Sequence, residues 1–159
     1  METKNIIIVG VGGQGTLLAS KLMGRVFMDE GYDVKVSEVH GMSQRGGSVV
    51  TYVRYGDSVA SAVVDKGEAD MIISFEKLES ARWLPYLKKD GVLITNEQEI
   101  DPMTVIMGKA VYPEGILETL REMGVKTVSV PASQLAEEAG NVRAANLVLL
   151  GVASRLIDL

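Results

Sequence analysis

Ile6-Ile7-Ile8-Val9-Gly10-Val11-Gly12-Gly13-Gln14-Gly15 joins an unbroken β-branched run to a glycine-rich turn. Consecutive branched apolar residues suit a strand covered on both faces, as in a parallel sheet layered with helices. The turn has the form G-x-G-x-x-G and leads straight into a helical segment that runs to about Glu30. Within it Leu18, Leu22 and Val26 repeat at i, i+4, and Met23 and Phe27 widen the apolar stripe. Gly31 supplies the stop.

Outward from this unit the pattern alternates. Val34 to Val39 reads as a second strand. Ser48 to Tyr55 reads as a third, with a turn at Gly56-Asp57, and Met71 to Phe75 as a fourth. Glu76 to Leu87 reads as a helix kinked or ended near Pro85, and Gly91 to Thr95 as the next strand. Val105-Ile106-Met107 reads as a short strand. Pro113-Glu114 opens a helix with the stripe Ile116, Leu117, Leu120 and Met123, closed by Gly124. Val125 to Val130 is a strand, and helices are expected over Ser133 to Ala139 and Val142 to Ile157. No repeat or linker interrupts the series. The expectation is an α/β, Rossmann-like fold over residues 1–159. It comprises one domain with a mostly parallel sheet, helices on both faces and a central first strand. Ligands of such sheets bind beyond the carboxyl ends of the strands. The loops after Val9 and after Phe75 should therefore meet.

Composition narrows the function. The chain has 159 residues, of which 47% are hydrophobic and 23% charged, an ordinary globular profile. Lys plus Arg is 16 against 21 for Asp plus Glu, a formal net charge of −5, so neither nucleic acid nor an anionic membrane is an expected partner. There is no cysteine, which excludes disulfides, thiolate zinc sites, iron–sulfur clusters and cysteine nucleophiles in this chain. One histidine excludes a histidine-rich metal site. Met1-Glu2-Thr3-Lys4 lacks a signal-peptide layout. The most apolar stretch, Asn146 to Ile157, is interrupted by Arg155 and too short to cross a bilayer. A cytoplasmic protein is expected. A mean hydropathy of +0.17 is high for a small monomer and points to surface covered by a partner.

Several residues carry chemistry. Gly10, Gly12, Gly13, Gln14 and Gly15 either cradle a phosphate at a helix N-terminus or serve only the turn and close packing. Glu38 lies 23 residues after Gly15, where a dinucleotide site wants a carboxylate for ribose hydroxyls; a solvated or salt-bridged carboxylate is the alternative. His40-Gly41-Met42-Ser43-Gln44-Arg45-Gly46-Gly47 gathers donors for an anion or a partner's carboxylates without a single acid. A plain surface loop is the other reading. His40 belongs to no triad and Ser43 to no nucleophile elbow, so no catalytic residue is assigned. Glu76 either accepts from a ligand or from the glycine-loop amides, or stabilises a helix N-terminus. Asn146, among apolar residues, should hold a hydrogen bond inside the protein or at an interface. Trp83 reads as core or as a partner anchor.

Together these motifs have a likeness. Gly12-Gly13-Gln14-Gly15, the run Ser37-Glu38-Val39-His40-Gly41-Met42-Ser43-Gln44-Arg45-Gly46-Gly47-Ser48-Val49, Ser74-Phe75-Glu76-Lys77-Leu78-Glu79, Leu84-Pro85-Tyr86-Leu87, Tyr112-Pro113 and Asn146-Leu147-Val148-Leu149-Leu150-Gly151 occur in order over nearly the whole chain. The chain resembles the gamma subunits or domains of the 2-oxoacid:ferredoxin oxidoreductases. Glu38 to Gln44 points to the indolepyruvate branch within that family. The resemblance implies conversion of an aryl 2-oxoacid, CoA and oxidised ferredoxin into an aryl acyl-CoA, carbon dioxide and reduced ferredoxin. It places thiamine diphosphate and the iron–sulfur clusters on a large alpha subunit, with this chain as its partner in a hetero-oligomer. It implies no nicotinamide at the glycine motif. Arg45 and the glycine loop become candidates for a CoA phosphate. Glu38, His40, Gly41, Ser43, Gln44, Arg45, Gly46, Gly47 and Glu76 become candidates for the partner interface or an active-site loop. Pyruvate, 2-oxoglutarate and branched 2-oxoacids remain alternative substrates, and a stand-alone NAD(P)- or flavin-binding oxidoreductase is the alternative outside the family.

Overall fold

A computed structural model describes residues 2–40, 47–141 and 144–157. Gly41, Ser43, Gln44, Arg45 and Gly46 lie outside the described residues, as does the His40 side chain.

The opening run forms β1 (Lys4–Val11), and its neighbours in the chain are α1 (Thr16–Asp29), β2 (Asp33–His40) and β3 (Ser48–Gly56). Then follow β4 (Ala69–Ser74), α2 (Lys77–Arg82), a 3-10 turn at Leu84–Tyr86, and β5 (Leu87–Asn96). The remainder is α3 (Met103–Ile106), α4 (Ile116–Glu122), β6 (Lys126–Val130), α5 (Ala132–Glu138) and α6 (Ala145–Leu156). The six strands are ordered β2-β3-β1-β4-β5-β6. β1, β4, β5 and β6 pair in parallel, whereas β3 runs antiparallel to both β1 and β2.

Alternation along β1 accounts for its composition. Ile6 and Ile8 face one apolar cluster with Ala19, Met23 and Phe27 of α1 and Leu149 and Ala153 of α6. Ile7 and Val9 face the opposite cluster with Leu117 and Leu120 of α4. Every side chain of Ile6 to Val9 is therefore buried. Burial of each is worth about 1.5–3 kcal/mol, so no polar residue is tolerated in the run.

Several local readings change; Met123, expected in the α4 stripe, lies past that helix and is 64% exposed. Leu18, Leu22 and Val26 do not face the sheet; they are 54%, 40% and 50% exposed. The inward row is Ala19, Met23 and Phe27, one residue further on at the same spacing. Phe27 stacks on Tyr55 with ring centroids 3.8 Å apart, and Gly24 lies against Val34 and Val36 of β2. Those two contacts set the rotation of α1 and turn the larger aliphatic row outward. Val105-Ile106-Met107 is no strand: Val105 and Ile106 lie in the helical turn α3, and the Ile106 and Met107 amides donate to the Pro102 and Met103 carbonyls at 3.1 and 2.9 Å. Gly108, with φ 75, ends that turn. Among the described residues no helix is long and apolar enough to cross a membrane.

Candidate functional site

The carboxyl ends of β1 and β4 meet at the glycine loop. The Phe75 amide donates to the Val9 carbonyl at 2.9 Å. Gln14 then ties the loop shut. Its Oε1 accepts from the Val11 amide at 2.7 Å, and its Nε2 donates to the Phe75 carbonyl at 3.0 Å and to Gln98 Oε1 at 3.3 Å. Gln98 Oε1 also accepts from Asn96 Nδ2 and Ser133 Oγ, so the network reaches β5 and the start of α5. Gly10 is required by this closeness. A Cβ there would sit 2.9 Å from Gln14 Oε1 and 3.1 Å from both Phe75 Cβ and Thr16 Cγ2.

Gly15, with φ 85, starts α1 in the left-handed region that favours glycine. Among the described residues no side chain caps this helix, which leaves the first-turn amides without a side-chain acceptor. Beside them lies a cleft of about 340 Å³ lined by Gly12, Gly13, Gly15, Thr16, Glu38 and Val49. Glu38 reaches this cleft from β2, although β3 lies between β2 and β1. In the ordinary dinucleotide fold the acidic strand is the direct neighbour of β1. Here Val49 of β3 stands between the glycine loop and the carboxylate's strand.

The described ends of the second glycine-rich segment lie near the first. The Gly12 amide donates to the Gly47 carbonyl at 2.9 Å, and the His40 backbone pairs with Val49 at the mouth of the β2–β3 connection. Position 48 is clamped from below: Ser48 Oγ donates to Glu79 Oε2 at 2.5 Å and accepts from Trp83 Nε1 at 3.4 Å. Arg82 Nε donates to Glu79 Oε1 at 3.1 Å. Ser48, Glu79 and Arg82 carry no role in the sequence reading. The available signal was Glu76-Lys77-Leu78-Glu79, an acidic cap followed three residues later by glutamate. Trp83 belongs to this clamp and packs against the cluster on the α4 side.

Glu76 is an internal carboxylate, 1% exposed. Its Oε1 accepts from the Glu79 amide at 2.9 Å as the cap of α2. Its Oε2 accepts from the Ile100 amide at 2.9 Å and the Tyr112 hydroxyl at 2.5 Å. The helix-capping role is the one this geometry supports, and a carboxylate so enclosed offers nothing to a partner's surface. Burial, then the hydrogen bond to Glu76 and its charge, push the Tyr112 phenol far above its usual range.

Asn146 is 6% exposed and, among the described residues, is held through its oxygen alone. Its Oδ1 accepts from the Leu147 amide at 2.8 Å. Its Nδ2 points at the glycine loop, 3.2 Å from where a Cβ on Gly15 would lie.

The chain has no cysteine to hold an iron–sulfur cluster through thiolates, and among the described residues no three His, Asp or Glu side chains group closely enough for a metal ion.

The profile of the pyruvate ferredoxin/flavodoxin oxidoreductase family matches residues 5–159. The chain is 49% identical over 156 residues to the indolepyruvate oxidoreductase subunit IorB of Pyrococcus horikoshii, covering 95% of this chain and 76% of that one. It is 43% identical over 150 residues to the subunit of the same name from Archaeoglobus fulgidus, covering 93% and 74%. The fold superposes with a TM-score of 0.74 on 2-oxoglutarate:ferredoxin oxidoreductase from Magnetococcus marinus, solved with 2-oxoglutarate, coenzyme A and succinyl-CoA bound. That likeness has 21% identity and covers 99% of this chain and 25% of that one. With residues 5–159 matched and close to half of the residues shared with such a subunit, this chain belongs to the pyruvate ferredoxin/flavodoxin oxidoreductase family.

Proposed function

We propose that this chain is the small subunit of an indolepyruvate-type 2-oxoacid:ferredoxin oxidoreductase, acting in the cytoplasm as one gamma-type domain. The large subunit carries thiamine diphosphate and the iron–sulfur clusters. The assembly turns an arylpyruvate, CoA and oxidised ferredoxin into the aryl acyl-CoA, carbon dioxide and reduced ferredoxin. The high identity to indolepyruvate oxidoreductase subunits supports the substrate class. The observation that carries the role of this chain is the juxtaposition of its two glycine-rich segments through Gly12 and Gly47. It brings Gly47, the last residue of the second segment, against the glycine loop at one end of the sheet. On this reading Gly10 to Gly15 and Arg45 receive a phosphate of CoA, and His40 to Gly47 face the large subunit.

A stand-alone nicotinamide or flavin enzyme is disfavoured because β3 separates β1 from the strand that bears Glu38. The test is arylpyruvate- and CoA-dependent ferredoxin reduction by the anaerobically assembled enzyme, compared with pyruvate, 2-oxoglutarate and 2-oxoisovalerate. Preference for indolepyruvate supports the proposal. Equal or better turnover of an aliphatic 2-oxoacid overturns the substrate class. Saturable NAD(P) binding by this chain alone overturns the assignment of its glycine loop.

A further inference from the structure

The glycine loop leaves more donors unsatisfied than its own turn requires. Among the described residues, no protein acceptor takes the amides of Gly13, Gly15, Thr16 or Leu17. The first turn of a helix left in that state attracts an anion, because its free N–H groups and the helix dipole act together. By itself that is a common feature. The second feature comes from the far end of the chain. Asn146 lies at the start of α6 and is nine-tenths buried. Its oxygen is already used by Leu147, and its Nδ2, which has no partner among the described residues, is directed at Gly15. Asn146 thus brings a side-chain donor from a second element to the start of the same uncapped helix.

We propose that Asn146 is a binding residue for a phosphoryl group, its Nδ2 joining the first-turn amides of α1 on the phosphoryl oxygens of the acyl-accepting coenzyme. This rests on the reading that the glycine loop receives CoA, and adds to it a residue on α6 as a specificity determinant. It also explains a close approach: the amide reaches the anion only because Gly15 has no side chain in the intervening space.

The test uses the assembled enzyme and two acyl acceptors, CoA and pantetheine, which has the thiol but no phosphoryl group. Asn146→Asp keeps the shape and the acceptor for Leu147 while placing negative charge where the donor stood. Asn146→Ala serves if the aspartate variant fails to assemble. The expected result is a fall in kcat/KM for CoA of roughly 10- to 100-fold, the size of a charge-assisted hydrogen bond lost. That fall should appear as a rise in KM, with kcat, the KM for the 2-oxoacid and kcat/KM for pantetheine within about twofold of wild type. A general structural defect lowers turnover of both acceptors alike. Unchanged KM for CoA, or an equal loss with pantetheine, overturns the role of Asn146. Amide exchange in the wild-type assembly separates the two levels. CoA should slow exchange across residues 13–18. If it does while Asn146→Asp leaves the KM for CoA unchanged, the inference fails and the glycine-loop reading stands. If CoA does not slow exchange there, both fail.

Discussion

The Tyr112 hydroxyl lies 2.5 Å from Glu76 Oε2 and donates to it, joining the segment that leads into α4 to the cap of α2. The same hydroxyl accepts from the Leu78 amide at 3.1 Å. One phenol thus serves a buried carboxylate and a helix amide at once. Tyr112→Phe leaves both short of a partner. Loss of about 1–3 kcal/mol of unfolding free energy is expected, measured by urea denaturation.

The same pair has a pH signature. The folded phenol sits above its unfolded value, so the protonated form favours the folded state. A group whose pKa is raised on folding contributes stability that is whole below the unfolded pKa, about 10 for tyrosine, and is lost as pH rises beyond it. The stability advantage of wild type over Tyr112→Phe should be level from pH 7 to about 9 and shrink above pH 10. Tyr52, also raised by burial, remains in both proteins and cancels in the comparison. An advantage that grows with alkalinity contradicts the account.

Gly10 gives a prediction about coupling. Gly10→Ala puts a methyl group 2.9 Å from Gln14 Oε1, a movable atom, and 3.1 Å from Phe75 Cβ, a fixed one. Overpacking of this kind costs about 1–3 kcal/mol. Gln14→Ala removes one clash together with the clamp on Val11 and Phe75. The two substitutions should be non-additive, the double variant losing less than the sum of the singles, as read from the same denaturation curves.

The two rows of α1 separate cleanly. Leu18→Gln and Val26→Gln should each change stability by no more than about 0.5 kcal/mol, since both side chains are half exposed in this chain alone. Phe27→Ala should cost about 3–5 kcal/mol, because it empties the stack against Tyr55. Comparable losses from Val26→Gln and Phe27→Ala would place the helix in the wrong rotation.

What was legible and what was not divides along the range of the interactions. The strand, turn and helix from Ile6 to Gly31 follow from neighbours in sequence, and the structure keeps that unit with its central strand. The meeting of the Val9 and Phe75 loops followed from the fold class alone. The rotation of α1 did not, because rows 18-22-26 and 19-23-27 share one period and only Gly24 and Tyr55, through the sheet, distinguish them. Nor did the place of β3 beside β1, since it is decided by distant pairings such as Val9 with Val50. Glu76 offered a local choice, ligand or cap, that Tyr112 and Ile100 decide from 36 and 24 residues away. Val105 to Met107 was misread because a short apolar run has no period, and the helical signal lay in its flanks, Pro102 and Gly108.

On the proposed function this chain works as the small partner of a larger, cofactor-bearing chain. The most direct measurement is anaerobic native purification from the source cells, with identification of what co-elutes. The expected result is co-elution with a large, brown, thiamine-containing chain and arylpyruvate-dependent ferredoxin reduction in the same fractions. Elution of this chain alone, with no such partner and no such activity in its fractions, would contradict it.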